Sequence, residues 1–262
     1  MISILIWCYS RQQHLDQTLP RWLEQTGTAF EVILGHGPDI RWPADPRIIP
    51  VPTTNKMAAA YNTMLSAARG SLLLLTQADM LASTDDVLKR MAYRWKPGMM
   101  VLDVHYRQLE LGGLWHEQNG FFSLQLLLLA KQDVITAGGW WPGWDDPRVC
   151  AHEDGDLTCR LLERGLVYQF METPLERGVH HIYHDRPLYH MERTKRGKPN
   201  PYYKRAQAGQ FVFWKRHNRE IIRQLVEAQF VKLRLQREIG MTGRTTPAPA
   251  ALSFDPGMIV RP

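Results

Sequence analysis

Residues 55–80 read NKMAAAYNTMLSAARGSLLLLTQADM and contain the pattern that decides the fold. The alanine-rich stretch Met57–Ala68 predicts a helix. Ser71–Thr76 predicts a strand buried on both faces, because its apolar residues follow one another without polar alternation. The strand leads into Asp79, and an acid after a central strand faces the crevice in which α/β sheets bind ligands. The segment therefore predicts an α/β fold with a ligand site at Asp79. The alternative is that Asp79 only caps the next turn.

The flanking sequence continues this succession of strands and helices. Strands are predicted at Ile2–Cys8, Glu31–Leu34, Ile48–Ile49, Met99–Val104 and Phe121–Ala130, and helices at Leu15–Leu23 and Asp85–Trp95. Such alternation is typical of a mainly parallel central sheet flanked by helices. The residues that follow Cys8, Leu34 and Leu75 are then expected at the ligand-binding edge of the sheet.

A second informative stretch, residues 138–165, combines acids with aromatic rings in GGWWPGWDDPRVCAHEDGDLTCRLLERG. Crowded carboxylates repel one another unless cations, N–H groups or a ligand compensate them. Indole faces beside acids suit a sugar, whose C–H faces stack while its hydroxyls form hydrogen bonds. The stretch favours a sugar site followed by a helix at Leu157–Arg164. A solvated acidic loop before an ordinary helix is the alternative.

Charge is distributed unevenly along the 262 residues. The chain has 32 Lys and Arg against 26 Asp and Glu, but residues 186–244 alone hold 15 Lys and Arg against 4 acids. This balance indicates contact with an anionic partner or surface, or simply a solvated basic helix. We expect a catalytic domain over residues 1–200, a basic C-terminal helical extension over 201–240 and a Pro/Ala-rich tail over 241–262.

The apolar runs of the chain are too short to span a membrane, and the N-terminus lacks the basic region of a secretory signal. Cys8, Cys150 and Cys159 are odd in number and have no CxxC spacing, which argues against a disulfide framework or a zinc cluster. These features predict no transmembrane segment and a cytoplasmic protein, with peripheral contact to a membrane as a further option.

Three segments, in order, resemble one enzyme group. The helix with Asn62 and Arg69-Gly70, followed by a strand and Gln77-Ala78-Asp79, resembles the core of the GT-A glycosyltransferases, where the strand ends in D-x-D. The stretch from FFSLQLLLLAKQDV to HEDGDLTCRLLERG is similar to the segment that marks family 2 and family 7 (galactosyltransferase-like) members. Residues 181–184, HIYH, resemble their H-x-x-H metal element. The resemblance covers residues 1 to about 200.

This resemblance implies a GT-A, Rossmann-like fold and transfer of a sugar from a nucleotide-diphosphate donor to an acceptor hydroxyl, with inversion. Asp79, His184 and His181 are then expected to hold Mn²⁺ or Mg²⁺, and mixed Asp and His ligands favour Mn²⁺. The expected donor is a UDP-sugar. Its nucleotide is assigned to Tyr9, Arg11, Gln77, Asn62 and Asp39. Loop histidines without a metal, and Arg11 as a plain surface cation, are the alternatives.

On the acceptor side, the resemblance assigns the general base to Asp154, whose place before a helix keeps it ionised. Glu153 is expected to bind acceptor hydroxyls, and Trp141, Trp144 and Asp145 to form the acceptor site. The acceptor itself stays open: a glycan, a lipid-linked sugar, a protein or a nucleic acid.

Two positions depart from the family pattern. Gln77 replaces the first acid of D-x-D, and an amide supplies hydrogen bonds but no charge for a metal. His36 stands where a base-binding aspartate is expected, which leaves the uracil preference open, although Asp39 could substitute. Two alternative functions follow. One is a related protein that binds sugar or nucleotide without turnover, and the other is a nucleic-acid-directed glycosyltransferase that uses residues 186–244.

Overall fold

The computed structural model describes residues 1–82, 84–102, 126–149, 153–171, 179–181, 208, 212–213 and 215–217. Nine strands lie within them: β1 (Ile2–Cys8), β2 (Phe30–His36), β3 (Ile48–Pro52), β4 (Leu72–Gln77), β5 (Met80–Ala82), β6 (Met99–Leu102), β7 (Leu126–Ala130), β8 (Val167–Phe170) and β9 (Val179–His181). Seven of them form one sheet in the order β3-β2-β1-β4-β7-β6-β8, and β5 pairs with β9 in a separate two-stranded ribbon.

The main sheet is mostly parallel, as predicted. β1 pairs in parallel with β2 and β4, β2 with β3, and β6 with β8. β7 lies between β4 and β6 and runs antiparallel to both. The leucine run of β7 carries no signal for direction, because a strand buried on both faces has the same pattern in either orientation.

Five helices and one 3-10 helix flank the sheet within the described residues: α1 (Gln12–Leu23), α2 (Met57–Ala67), α3 (Val87–Arg94), α4 (Lys131–Thr136), the 3-10 helix Pro142–Asp145, and α5 (Glu153–Glu163). The strands separate two apolar cores. Ile4 and Ile6 of β1 pack with residues of α1 and α3, whereas Leu5 packs with residues of α2 and α5. The alternation along β1 places helices on both faces, which confirms the predicted α/β class.

A buried carboxylate closes the amino edge of the sheet, where β1 and β2 begin. Glu31 is 2% exposed and accepts hydrogen bonds from Ser3 Oγ at 2.6 Å, Arg69 N at 2.7 Å and Arg69 Nε at 2.7 Å. Gly70 N donates to Ser3 Oγ at 2.8 Å. Burial alone would raise the pKa of Glu31, but the bonds from Ser3 and Arg69 hold it below its ordinary value of 4.5. Arg69-Gly70 therefore connects α2 to the start of the sheet.

Part of the predicted C-terminal organisation lies outside the described residues. Of the extension, positions 208, 212–213 and 215–216 are helical, and the tail over 241–262 is not described. Phe213 is fully buried in the core beside α2 and α5. Among the described helices, none combines the length and the apolarity needed to cross a membrane.

Candidate functional site

The strand order reverses between β1 and β4, so a crevice opens at their carboxyl ends. Asp79 follows β4 in a turn, and its side chain is only 8% exposed. Arg11 comes from the loop after β1, and its Nη1 lies 3.5 Å from Asp79 Oδ2. That separation is longer than a charge-assisted hydrogen bond of about 2.8 Å. The structure thus brings together two residues that the sequence analysis assigned to metal and nucleotide.

The ribbon of β5 and β9 places a histidine-rich segment beside Asp79. Met80, the residue after Asp79, is paired with His181 in an antiparallel register. The backbone of His181, a predicted metal ligand, therefore lies beside the turn that holds Asp79, about a hundred positions earlier in the chain. His184 lies outside the described residues. Among the residues that are described, no group of three or more His, Cys, Asp or Glu side chains gathers as a ready metal site.

The acids of two distant segments act electrostatically on the buried hydroxyl of Tyr61. Tyr61 lies on α2, is 4% exposed and donates a hydrogen bond to the carbonyl of Thr76 at 2.9 Å. Burial raises the pKa of its phenol well above the ordinary value of 10.0. The negative charges of three acids raise this pKa further, in the decreasing order Asp154, Asp79 and Glu153. A concentration of negative charge therefore lies at the carboxyl edge of the sheet.

Two of these acids are the first residues of α5. The helix begins at Glu153, four residues before the predicted start at Leu157. Acids at a helix N-terminus interact favourably with its unpaired N–H groups, which explains why the helix extends over Glu153 and Asp154.

A third acid of α5 has a different environment. Asp156 is fully buried and contacts three cationic or potentially cationic groups: Arg160 Nη2 at 2.8 Å, Arg216 Nε at 2.7 Å and His217 Nε2 at 2.9 Å. His217 Nδ1 also lies 3.3 Å from Glu163. Burial alone would raise the pKa of Asp156, but the hydrogen bond from His217 and the charges of the two arginines lower it far below its ordinary value. Asp156 therefore anchors the C-terminal residues to α5.

The three tryptophans of residues 140–144 occupy different surroundings. Trp140 is buried and stacks on Tyr61, with ring centroids 4.8 Å apart. Trp144 is also buried, in the same core, and meets Trp141 edge to face. The expectation that Trp144 contributes to an acceptor platform stays a prediction, and its burial makes Trp141 the more accessible of the two rings. Trp141 is partly exposed, and the guanidinium carbon of Arg216 lies 3.8 Å from its ring centroid.

Two predicted ligand-binding residues, Asn62 and Asp145, also make contacts within the fold. Asn62 Nδ2 donates to the carbonyl of Trp140 at 2.7 Å, and Trp140 N donates back to Asn62 Oδ1 at 2.9 Å. Asp145 accepts hydrogen bonds from the N–H groups of Ala58 and Ala59 at 3.0 and 2.9 Å, which caps the start of α2. Both residues hold the 140–145 segment against α2.

A groove of about 600 Å³ lies beside this segment. Its walls are formed by Lys56, Trp141, Pro142, Gly143, Asp145, Asp146, Pro147, Arg148, Val149 and Val212. The carboxylate of Asp146 is bonded to Arg148. The groove therefore combines a tryptophan, two prolines and two valines with the paired side chains of Asp146 and Arg148, an arrangement suited to the C–H face of a sugar.

The remaining predicted nucleotide residues line the same edge. Tyr9 is partly exposed after β1, Gln77 ends β4, and Asp39 is exposed in the turn after β2. A Cβ at Gly37 would lie 2.0 Å from the carbonyl oxygen of Tyr9, so only glycine allows the two loops to approach this closely. His36 stacks at a tilt against Trp42, with centroids 4.5 Å apart.

Comparison with solved structures finds the same fold in a glycosyltransferase. The mannosyltransferase PcManGT from Pyrobaculum calidifontis, in complex with GDP-Man and Mn²⁺, superposes with a TM-score of 0.54 over 92% of this chain and 79% of that one, at 16% identity. S. aureus TarS 1-349 in complex with UDP-GlcNAc gives a TM-score of 0.46, at 13% identity, over 69% of this chain and 60% of that one. No family model matches the sequence, and no curated protein does.

Sequence reasoning missed the contacts made from the C-terminal side. Phe213 packs in the core, Arg216 stacks on Trp141, and His217 contacts Asp156. All three residues belong to the segment that the sequence analysis assigned to a separate extension. The amphipathic spacing of this segment indicates a packed helix, but nothing in it identifies the acid it contacts sixty positions earlier.

Proposed function

We propose that the protein is a metal-dependent, inverting glycosyltransferase that moves a sugar from a nucleotide-diphosphate donor to an acceptor hydroxyl. One observation carries the proposal: the negative charges of Asp79, Glu153 and Asp154 all act on the buried phenol of Tyr61, at the carboxyl edge of the sheet. Negative charge from two segments at a ligand-binding edge indicates a site for a cation and a reacting hydroxyl. The fold shared with PcManGT supports this reading.

The donor nucleotide binds over the loops that end β1, β2 and β4. Arg11 supplies a positive charge for the diphosphate, and Tyr9, Gln77 and Asp39 hold the base and ribose. A UDP-sugar is the donor implied by the sequence, whereas the complex of PcManGT contains GDP-Man. Because His36 replaces the usual aspartate, the choice of base is left to measurement.

The residues near Asp79 fit a divalent cation. Its carboxylate is nearly buried, Arg11 lies at 3.5 Å, and the paired strand carries His181. Mg²⁺ and Mn²⁺ are commonly held by one or two carboxylates together with substrate phosphates, so a full cage of protein ligands is not required. Asp79, His181 and His184 are the proposed ligands. When bound, the metal neutralises the negative charge that develops on the leaving diphosphate.

The acids of α5 act on the acceptor. Asp154 accepts the proton of the acceptor hydroxyl while the oxygen of that hydroxyl attacks the anomeric carbon. In the same step the bond between the anomeric carbon and the diphosphate oxygen breaks. The helix N-terminus stabilises Asp154 as the carboxylate until that step. Glu153 binds a neighbouring hydroxyl, and Trp141 holds the sugar ring from the groove. A single displacement of this kind inverts the anomeric centre.

Two other readings make different predictions. Gln77 favours a protein that binds nucleotide or sugar without turnover, because it removes one charge from the metal site. The basic composition of residues 186–244 favours a nucleic-acid acceptor, which would make binding to duplex DNA weaken steeply with salt. A glycan, lipid-linked sugar or protein acceptor predicts no such salt dependence.

The decisive experiment is a calorimetric titration with UDP, GDP and dTDP, each with and without Mn²⁺. Binding of one nucleotide that requires the metal, together with its loss in Asp79→Asn and its retention in the exposed control Asp85→Asn, supports the site. Release of nucleoside diphosphate from the matching nucleotide-sugar then separates turnover from binding alone. Absence of binding to all three nucleotides would contradict the proposal.

A further inference from the structure

Arg216 connects two parts of the candidate site that are far apart in sequence. Its Nε donates to Asp156 Oδ1 at 2.7 Å, while its guanidinium carbon lies 3.8 Å from the ring centroid of Trp141. Asp156 belongs to α5, the helix that begins with Glu153 and Asp154. Trp141 belongs to the wall of the groove. One side chain thus contacts both the helix of the proposed base and the proposed sugar platform.

The contact requires the shape of arginine. A guanidinium is planar, so it can stack on an indole face while its edge donates hydrogen bonds to a carboxylate. A lysine at this position could keep the charge beside Asp156 but would lose the planar stack. The side chain of Arg216 is 28% exposed, against none for Asp156, so the ion pair is shielded from solvent on the side of the helix.

The indole of Trp141 is also confined by its own segment. A Cβ at Gly143 would lie 2.2 Å from Cη2 of Trp141, so the 3-10 helix packs directly against the six-membered ring. Val212, one helical turn before Arg216, lines the same groove. Trp141 is therefore fixed from two sides, by the 3-10 helix and by Arg216.

We propose that Arg216 is a positioning residue for the acceptor: it sets the place of the Trp141 ring relative to Asp154, through Asp156. This inference rests on the proposed function, in which Trp141 holds the acceptor sugar and Asp154 takes its proton. Buried Asp156 lies two residues after Asp154, and Phe213 secures the C-terminal side in the core. Loss of the guanidinium leaves Trp141 in place along the chain but free to change its ring orientation.

The test uses the full chain and a panel of p-nitrophenyl glycosides as acceptors, with the nucleotide-sugar selected by calorimetry. Arg216→Met keeps the apolar stem, Arg216→Lys keeps the charge, and Arg164→Met is the matched control at the exposed end of α5. We expect Arg216→Met and Arg216→Lys each to raise the glycoside KM about tenfold, an effect of cation–π size. The nucleotide Kd is expected to change by less than about twofold, because the contacts of Arg216 in the described part of the chain are with Asp156 and Trp141, away from the donor loops. Arg164→Met should change neither.

A double-mutant cycle separates positioning from stability. If Arg216 acts through Trp141, the effects of Trp141→Leu and Arg216→Met on the glycoside KM are not additive. Additive effects overturn the inference. So does an Arg216→Met variant in which the glycoside KM rises, the nucleotide affinity weakens and the thermal midpoint falls together. If the wild type binds nucleotide but transfers no sugar, the same cycle is run on glycoside Kd by saturation-transfer NMR, and a wild type that binds no glycoside also overturns it. The proposed function is tested separately by the nucleotide titration, so its failure is distinguishable from failure of this inference.

Discussion

The two edges of the central sheet each hold a nearly buried carboxylate, and the two differ in their partners. At the amino edge, Glu31 is 2% exposed and is bonded to Ser3 and Arg69 at 2.6 and 2.7 Å. At the carboxyl edge, Asp79 is 6% exposed and lies 3.5 Å from Arg11. Its charge acts on the phenol of Tyr61, as do those of Glu153 and Asp154.

The difference separates a structural acid from a candidate functional one. A carboxylate with short bonds to one hydroxyl and one arginine contributes to folding, because its charge is compensated inside the protein. A nearly buried carboxylate at the ligand-binding edge, with a long contact to an exposed arginine, is placed to bind a cation. Substitutions at the amino edge should therefore change stability, and those at the carboxyl edge should change binding and turnover.

The largest effect is expected for Asp154→Asn. Asparagine cannot accept the proton, so kcat for transfer should fall about a thousandfold, within the range of general-base catalysis. Steady-state release of nucleoside diphosphate measures it, with the exposed Asp85→Asn as the control. If the Asp154→Asn variant keeps the wild-type kcat, a different residue is the general base.

The second effect concerns Asp79. Asp79→Asn should weaken Mn²⁺-dependent nucleotide binding about a hundredfold, since a neutral amide is a poor ligand for a hard cation. Its free energy of unfolding should change by less than about 1 kcal/mol, because the ion pair of Asp79 with Arg11 is long and Arg11 is exposed. Calorimetry and urea denaturation measure the two quantities. A large loss of stability with unchanged nucleotide affinity would make Asp79 structural, like Glu31.

The reverse result is expected at the amino edge. Glu31→Gln should lower the free energy of unfolding by about 2 kcal/mol, because Ser3 and Arg69 lose a charged acceptor. Nucleotide affinity should not change. Urea denaturation checks this, with exposed Glu24→Gln as the matched control. Equal stability of the two variants would show that the short bonds of Glu31 contribute nothing net.

The same residue gives a pH dependence. The pKa of Glu31 is lower in the folded protein than its ordinary value of 4.5. Its contribution to stability is therefore present above that value and is lost as the pH falls through the lower folded pKa. The difference in urea midpoint between the wild type and Glu31→Gln should be constant near neutral pH and should shrink below 4.5. A difference in urea midpoint that grows in acid would show that the pKa of Glu31 is raised, not lowered, in the folded protein.

The smallest effect is expected for Tyr61→Phe. The phenol lies among the acids but stays protonated, because burial and their charges raise its pKa well above 10.0. Its removal should cost about 1 kcal/mol of stability through the lost bond to Thr76. The kcat should change by less than about threefold, since the phenol takes no part in the proposed reaction. A fall in kcat as large as that of Asp154→Asn would give Tyr61 a direct part in the reaction.

The sequence predicted the fold where the signal is local. Strand β1 has the predicted bounds, α2 ends one residue before the predicted end, and β4 is shifted by one residue from the predicted strand. Direction was harder: the leucines of β7 have the same pattern in a parallel and an antiparallel strand. The start of α5 was placed four residues late, because its acidic first turn was interpreted as loop.

For the candidate site, the sequence predicted which residues follow the strands but not what each one contacts. Asp145 and Asn62 have the polar groups of ligand-binding residues, yet they hold the 140–145 segment to α2. Arg69-Gly70 matched a family helix and proved to connect α2 with Glu31. Such contacts join residues between 38 and 87 positions apart, and no local periodicity encodes them.

The pairing of β5 with β9 has a consequence for how the molecule is assembled. Met80 and His181 are joined across about a hundred intervening positions, so this pairing closes one of the longest loops in the described structure, and closing a long loop is entropically costly. The parallel pairings of β1 with β2 and β4, and of β2 with β3, join residues over shorter separations and are expected to form earlier. Competence to bind a ligand at Asp79 should then appear after the core has folded, as the last step of refolding.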